Sequence, residues 1–214
     1  MKIQEIYDTY KIMPQLREHM LRVAAVAATV CDNFDEPLPK ENIIEACLLH
    51  DMGNIVKFDL EYTKNYFPEF FAQQGFEYWQ GIQKEFIEKY GTDDHLATFA
   101  IVKELGIDGK TFELVEAITT KMIEKSDSSL NADILICKYV DFRVGPKGVL
   151  GLRERVTEWK NRDKRISEEY AENSYNLFTQ IEKQIFSKCK IQPEDITDET
   201  IQPIISELQN FVLK

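Results

Sequence analysis

Four side chains in this sequence could do chemistry together: His19, the adjacent pair His50-Asp51, and Asp141. Imidazole and carboxylate are borderline-to-hard donors. Two of each suit one divalent ion of the Mn, Fe, Co, Ni, Zn or Mg type, with positions left for water and substrate oxygens. Each lies where apolar residues recur at helical spacing, on the side that should face the core. His19 sits between Leu16 and Val23 on one stripe, His50 and Asp51 follow Cys47 and Leu48 by about a turn, and Asp141 follows Cys137 by a turn. Ionisable groups rarely occupy a buried face without a partner. Taken singly, each has a plain explanation: a histidine hydrogen-bonded inside a core, or an aspartate that caps a helix or meets solvent. A shared cation accounts for all of them and supplies the counter-charge that two inward aspartates need.

The elements that must position these residues read as helices. Over residues 15–31, Leu16, Met20, Val23, Ala27 and Val30 form one face, and Pro14 suits the first turn. Residues 40–52 carry Ile43, Ile44, Cys47 and Leu48, with Gly53 as the stop. Thr92 reads as the N-cap of a helix over 93–105 that Gly106 ends. Further helices are expected over 111–125, with Phe112, Val115, Ile118 and Met122, and over 131–144, with Gly145-Pro146 terminating the second. Residues 58–90 are rich in Phe, Tyr and Trp and read as short helices broken at Pro68, Gly75 and Gly81. This segment is either a lid over the site or a satellite hydrophobic cluster. The tail reads as one long charged helix from 153 to about 190, a break at Pro193, and a last helix near 201–213 that starts around Thr197. The expectation is an all-α domain over about 10–145, with the aromatic insertion at 58–90, and a helical extension over 146–214 that packs on the same core.

The chain has 214 residues, enough to bury a core without staples. Its net charge of −11 argues against a long nucleic acid as partner. It also means that any phosphate site must build its own local positive field, which a metal ion does. Cys31, Cys47, Cys137 and Cys189 form no CxxC pair, and three of them lie in apolar helical stretches where a free Cys reads as a small hydrophobe. The opening MKIQEIYDTYK has no signal-peptide core, and no apolar run spans a bilayer. A reducing cytoplasm and no membrane are the expectation, with the charged tail a possible homodimer surface.

The order His19, His50-Asp51, Asp141 resembles the HD-domain superfamily of metal-dependent phosphohydrolases. The supporting strings are LREHMLRVAAVA, ACLLHDMGNI and DILICKYVDFRV, within about Pro14 to Val144. The resemblance implies an α-helical bundle whose metal ligands are His19, His50, Asp51 and Asp141. It also implies hydrolysis of a phosphomonoester or phosphodiester of a small metabolite or nucleotide by metal-activated water, with Asp51 also orienting that water. Many members have Lys after the glycine, and this chain has Asn54, which offers only an amide. Lys57, one turn on, is the candidate replacement or else a solvated lysine. Arg22 can flank the metal mouth; Arg17, Lys121 and Arg143 also lie near the motifs. His95 is the remaining histidine. It reads as a phosphate contact or proton donor, or as a partner of Asp93 or Asp94 in its own first turn. With no further histidines, a single metal is expected. A regulatory module that keeps the fold without turnover is the alternative, favoured by Asn54. A two-iron oxygenase would need more ligands than the sequence offers.

Overall fold

The helical period carries through the computed structural model, which describes residues 1–119 and 131–213. Among the described residues there are eleven α-helices and one small hairpin, an all-α chain. α1 (Ile3–Thr9) leads to α2 (Pro14–Asn33) and α3 (Lys40–Leu49). A 3-10 turn (Asn54–Lys57), α4 (Leu60–Tyr66), a second 3-10 turn (Pro68–Phe71) and α5 (Phe76–Tyr90) form the aromatic segment. Then come α6 (Asp94–Glu104), α7 (Gly109–Thr119) and α8 (Ala132–Arg143). β1 (Val144–Gly145) and β2 (Gly148–Val149) pair Val144 with Val149 around Pro146-Lys147. α9 (Leu152–Arg162), α10 (Glu168–Phe186), a 3-10 turn (Pro193–Asp195) and α11 (Asp198–Leu208) complete the chain.

α2 is the axis. Pro14 opens it, and from Met20 to Ala28 nearly every residue is buried, the signature of a helix enclosed on all sides. α3, α8 and α11 pack around it. The alanines at 24, 25, 27 and 28 keep its surface flat and let those neighbours approach closely. α8 is enclosed in the same way; even Asp133, Lys138 and Arg143 on it are buried. Arg143 is held by the Tyr139 hydroxyl at 2.6 Å and Glu182 at 3.5 Å. It is a strut between α8 and α10. The Arg17 side chain likewise ties α2 to α1, donating to the Ile12 and Tyr7 carbonyls at 2.7 and 3.0 Å. Cys47 and Cys137 lie in the core, and all four cysteines are free thiols.

The tail differs from the single long helix that its sequence suggests. It forms α9 and α10, which pack on each other. No Gly or Pro interrupts residues 153–190, so polar side chains make the break. The Asp163 carboxylate accepts from the Arg165 amide at 3.0 Å, and Ser167 caps α10 through the Tyr170 amide at 3.1 Å. Such local bonds compete with the helix ladder. The turn lets Trp159 meet Tyr170 edge-on at 5.6 Å. The last helix spans Asp198–Leu208 rather than 201–213, and its cap is Thr197 as expected. Leu152, Ile185, Phe186, Ile201 and Leu208 join the same hydrophobic cluster as the N-terminal helices. The chain ends meet there, with the Ile3 amide on the Phe211 carbonyl at 2.9 Å.

Other boundaries move by smaller amounts. Asp93, not Thr92, caps α6, accepting from the Leu96 amide at 2.8 Å. Gly81 breaks nothing: α5 runs through it because Trp79, Ile82 and Phe86 bury on the core, outweighing the roughly 1 kcal/mol a mid-helix glycine costs. Phe71, Trp79 and Phe86 belong to the main hydrophobic cluster, so the aromatic segment is not a satellite. Met122 and Lys121, expected in the last turns after α7, lie outside the described residues. No helix of the described residues is long and apolar enough to cross a membrane.

Gly53 is required for space, not for conformation. Its φ of −92° is open to any residue. A Cβ there would lie 2.5 Å from the Thr98 amide nitrogen and 2.7 Å from the Asp94 carbonyl. By contrast, nothing lies within 4 Å of a Cβ at Gly81. Gly53→Ala should destabilise the fold by about 1–3 kcal/mol, whereas Gly81→Ala should stabilise it by about 0.5–1 kcal/mol. Chemical denaturation of the two variants checks the opposite signs; equal effects would contradict this reading.

Candidate metal centre

The end of α3 is built to aim two side chains. A helix leaves its last carbonyls without intrahelical partners, and here each of three finds one. His50 Nδ1 lies 2.8 Å from the Cys47 carbonyl, the Tyr7 hydroxyl donates to the Leu48 carbonyl at 2.7 Å, and the Met52 amide donates to the Leu49 carbonyl at 3.2 Å. The Gly53 amide then donates to the Thr98 hydroxyl at 2.9 Å, docking the turn under α6. His50 and Asp51 are thereby fixed at the helix end.

α2 brings His19 and α8 brings Asp141 to the same place. Asp141 Oδ1 lies 3.0 Å from His19 Nε2 and 3.2 Å from His50 Nε2. The two Asp51 oxygens divide between the imidazoles, Oδ2 3.7 Å from His19 Nε2 and Oδ1 3.7 Å from His50 Nε2. One ligand atom each from His19, His50 and Asp141 can be chosen so that all lie within 4.8 Å of one another. The base of the site is dry, with the His50 side chain 1% exposed, and it opens on the Asp141 side, where the side chain is 35% exposed.

The hydrogen positions follow from the partners. A carbonyl only accepts, so His50 Nδ1 carries a hydrogen and turns Nε2 inward. Nε2 then faces a carboxylate oxygen at 3.2 Å. Two lone pairs repel there, so something positive must stand between them: a proton or a cation. Without metal it is the proton. Burial lowers the pKa of His50, but Asp51 and then Asp141 outweigh it and raise it from 6.5 to about 9. Burial raises Asp141, and the His50 and His19 imidazoles override it and hold its carboxyl well below the usual range. The proton is the smaller occupant of a place where the donor set, two imidazoles and two carboxylates, fits a divalent ion.

The other expected site residues fall at different distances from this point. Lys57 reaches Asp94 Oδ2 at 2.5 Å. Burial lowers its pKa, but Asp51, Asp94 and Asp141 together raise it, so its charge stands within the field of the centre. Gln83 pins the turn that carries it, donating to the Ile55 and Phe58 carbonyls, each at 2.8 Å. Asn54 is buried at the start of that turn, its amide on the Asp51 carbonyl at 3.1 Å. Arg22 turns to Glu18 at 3.6 Å and Asp198 at 3.7 Å, an ion pair between α2 and α11. His95 is half exposed, with Nε2 3.6 Å from Asp94 Oδ2, and it is not one of the converging ligand group.

Asp94 stands beside His95, as one reading of that histidine in the sequence has it, but its hold on Lys57 was not expected. Two further residues near the centre escaped the sequence reasoning. Lys138 is buried one turn before Asp141, and burial lowers it to about 8 against the opposing pull of the Asp141 carboxylate. Arg155 comes from α9 and donates to the carbonyl of Phe142, next to Asp141, at 3.0 Å. An inward helical spacing from Asp141 could have flagged Lys138; nothing local flags Arg155.

The family model of the HD domain matches residues 16–142, more than half of the chain, and spans all four converging residues. The chain belongs to the HD-domain family. HD domains are typically metal-dependent hydrolase domains, in keeping with the cluster. No curated protein and no solved structure matches the chain.

A metal ion entering this HD domain must displace the His50 proton. Because the folded pKa lies above the ordinary one, the protonated His50 contributes stability that is full below pH 6.5 and lost as pH rises through about 9. The melting temperature of the metal-free protein should carry that fall, and added Mn or Co should raise it more at high pH than at about pH 6. His50→Gln should remove the difference. Differential scanning calorimetry reads both; a metal-induced gain that is the same at both pH values would contradict the competition.

Proposed function

We propose that the protein is a metal-dependent phosphohydrolase that cleaves a phosphomonoester or phosphodiester of a small metabolite or nucleotide. The observation that carries this reading is the convergence of His19, His50 and Asp141, whose ligand atoms all lie within 4.8 Å of one another, with an Asp51 oxygen 3.7 Å from each imidazole. A divalent ion bound there would lower the pKa of a water towards neutrality and polarise a phosphoryl oxygen.

The chain's own residues divide the remaining work. Asp51 sits between the two imidazoles with one oxygen towards each; one oxygen would help hold the ion and the other would accept a hydrogen bond from the attacking water, orienting it. His95, on the first turn of α6 beside Asp94, donates a proton to the leaving oxygen. Lys57 meets the phosphoryl oxygens, a role that buried Asn54 leaves to it. The site opens on the exposed side of Asp141.

The second reading, a metal-binding regulatory module without turnover, draws on Asn54 at the position where the family often has lysine. Lys57 within the field of Asp51 and Asp141 favours the enzyme instead. The deciding experiment is element-specific metal analysis of the purified protein, followed by a panel of phosphate esters with Mn, Co, Ni and Mg. At least one ester should turn over, and Asp51→Ala should lose hydrolysis by at least about a thousandfold, as loss of a metal site does. Bound metal with no turnover of any ester would favour the module, and full activity in Asp51→Ala would overturn the mechanism.

A further inference from the structure

α1 lies outside the matched segment, yet it reaches the metal centre through one atom. With seven residues it is too short to stand alone, and Ile3, Ile6 and Tyr7 bury one face of it in the core. The Tyr7 side chain is fully enclosed, so its hydroxyl must find an acceptor inside the protein. It donates at 2.7 Å to the carbonyl of Leu48, 41 residues on. Burial pushes its pKa well above the ordinary value, so the hydrogen stays on the oxygen.

The choice of acceptor matters. In a continued helix the Leu48 carbonyl would take the Met52 amide, but that amide turns to the Leu49 carbonyl at 3.2 Å. This leaves a carbonyl two residues before His50 for Tyr7 to fill. It lies in the peptide next to the one whose carbonyl, that of Cys47, holds His50 Nδ1 at 2.8 Å. The partners at Cys47 and Leu49 are His50 and Met52, which move with the helix end. Of the three partners, only Tyr7 comes from another helix, so it ties that end to a fixed frame.

The frame is α2. Arg17 lies two residues before His19. Its Nη2 donates to the Tyr7 carbonyl at 3.0 Å, its Nε donates to the Ile12 carbonyl at 2.7 Å, and its Nη1 pairs with Asp8. The guanidinium carbon lies 6.0 Å from the centroid of the Tyr7 ring. The helix that carries His19 thus grips the Tyr7 backbone, and the Tyr7 hydroxyl grips the helix that carries His50. The centroids of the two imidazoles are 5.3 Å apart.

We propose that Tyr7 is a positioning residue of the metal centre: the chain of bonds from Arg17 through Tyr7 to the Leu48 carbonyl sets the spacing of His19 and His50 around the ion. This role rests on the metal centre and stands apart from the ester chemistry. Without the hydroxyl, the doublet keeps the Thr98 anchor on its far side, at Gly53, and loses the one on its near side. The His50 imidazole then has room to shift by the roughly 0.5 Å that a metal site does not tolerate.

The test is cobalt(II) titration of the full chain, with affinity read by calorimetry and ligand geometry by visible absorption. Tyr7→Phe keeps the buried ring and removes one oxygen. It should weaken cobalt binding by about tenfold or more, as loss of a hydrogen bond behind a ligand does, and it should change the visible band. Tyr62→Phe is the control. It removes the same kind of bond, a hydroxyl on the Arg162 carbonyl at 2.7 Å at the end of α9, and should leave cobalt affinity and band unchanged. Melting of the metal-free variants separates lost stability from lost metal. Should Tyr7→Phe fail to fold, Arg17→Lys carries the test: it keeps the charge beside Asp8, cannot bond both carbonyls, and should also weaken cobalt binding and alter the band. Wild-type cobalt affinity and band in Tyr7→Phe overturn the strut, as does an equal loss in Tyr62→Phe. A wild type that takes up no cobalt overturns the metal centre and the strut together. Cobalt binding that depends on Tyr7, with no phosphate ester turned over, overturns the phosphohydrolase reading alone.

Discussion

One carboxylate oxygen governs this structure. Asp141 Oδ1 has imidazole nitrogens at 3.0 and 3.2 Å, and the nearer protein surroundings of His50 are dry. Because His50 Nδ1 donates to the Cys47 carbonyl, its Nε2 meets this oxygen lone pair to lone pair unless positive charge stands between them. A proton on His50 meets the need when nothing else does, and a divalent ion meets it better because it also answers Asp51. The rest of the architecture can be read as the means of holding four donors against their mutual repulsion. α2 is enclosed on every side and so cannot rotate His19 away. The end of α3 has its last carbonyls satisfied by His50, Tyr7 and the Met52 amide, so the doublet has no slack. α8, buried around most of its circumference, ends within a residue or two of Asp141 and turns at once into the hairpin.

A second ring of charge lies outside those donors. Lys57 with Asp94, Lys138, and Arg155 with Glu158 are each drawn from a different element, and the three cations all stand within the field of Asp141. This ring places positive charge around the Asp141 carboxylate in a chain that is negative overall. Arg155 keeps its place on the Phe142 carbonyl because the C-terminal extension shares the hydrophobic cluster of the N-terminal helices. An arginine can be held near a site to within a few tenths of an ångström only if the helix that carries it is part of the same packed body.

The sequence made the centre legible because its four residues stand on strongly periodic helices, where spacing predicts facing. His19, His50 and Asp141 meet as their stripes require, with Asp51 3.7 Å from each imidazole, and α2, α3 and α8 begin and end within a few residues of their signals. What spacing could not show is what packs across the chain. Arg155 follows Asp141 by fourteen residues on another helix, and nothing local says that it doubles back to the Phe142 carbonyl. Gly53 reads as a helix stop, whereas its role is to let α6 approach. The α9–α10 break is invisible in composition because Asp163 and Ser167 make it with side-chain bonds rather than with Gly or Pro. Gly81 misleads in the opposite direction: burial of its neighbours carries the helix through it. Arg22 has the right spacing for the metal mouth, yet the Asp198 carboxylate on α11 draws it away.

The central claim is that a cation belongs between the imidazoles and the aspartates. X-ray absorption at the edge of the metal that copurifies with, or is loaded into, the full chain reads this directly. The account predicts two imidazole nitrogens and carboxylate oxygens in the first coordination sphere at about 2.0–2.2 Å, with the imidazole signal lost in a His19→Ala, His50→Ala double variant. A sphere made only of water oxygens, or an imidazole signal that survives both substitutions, would contradict it.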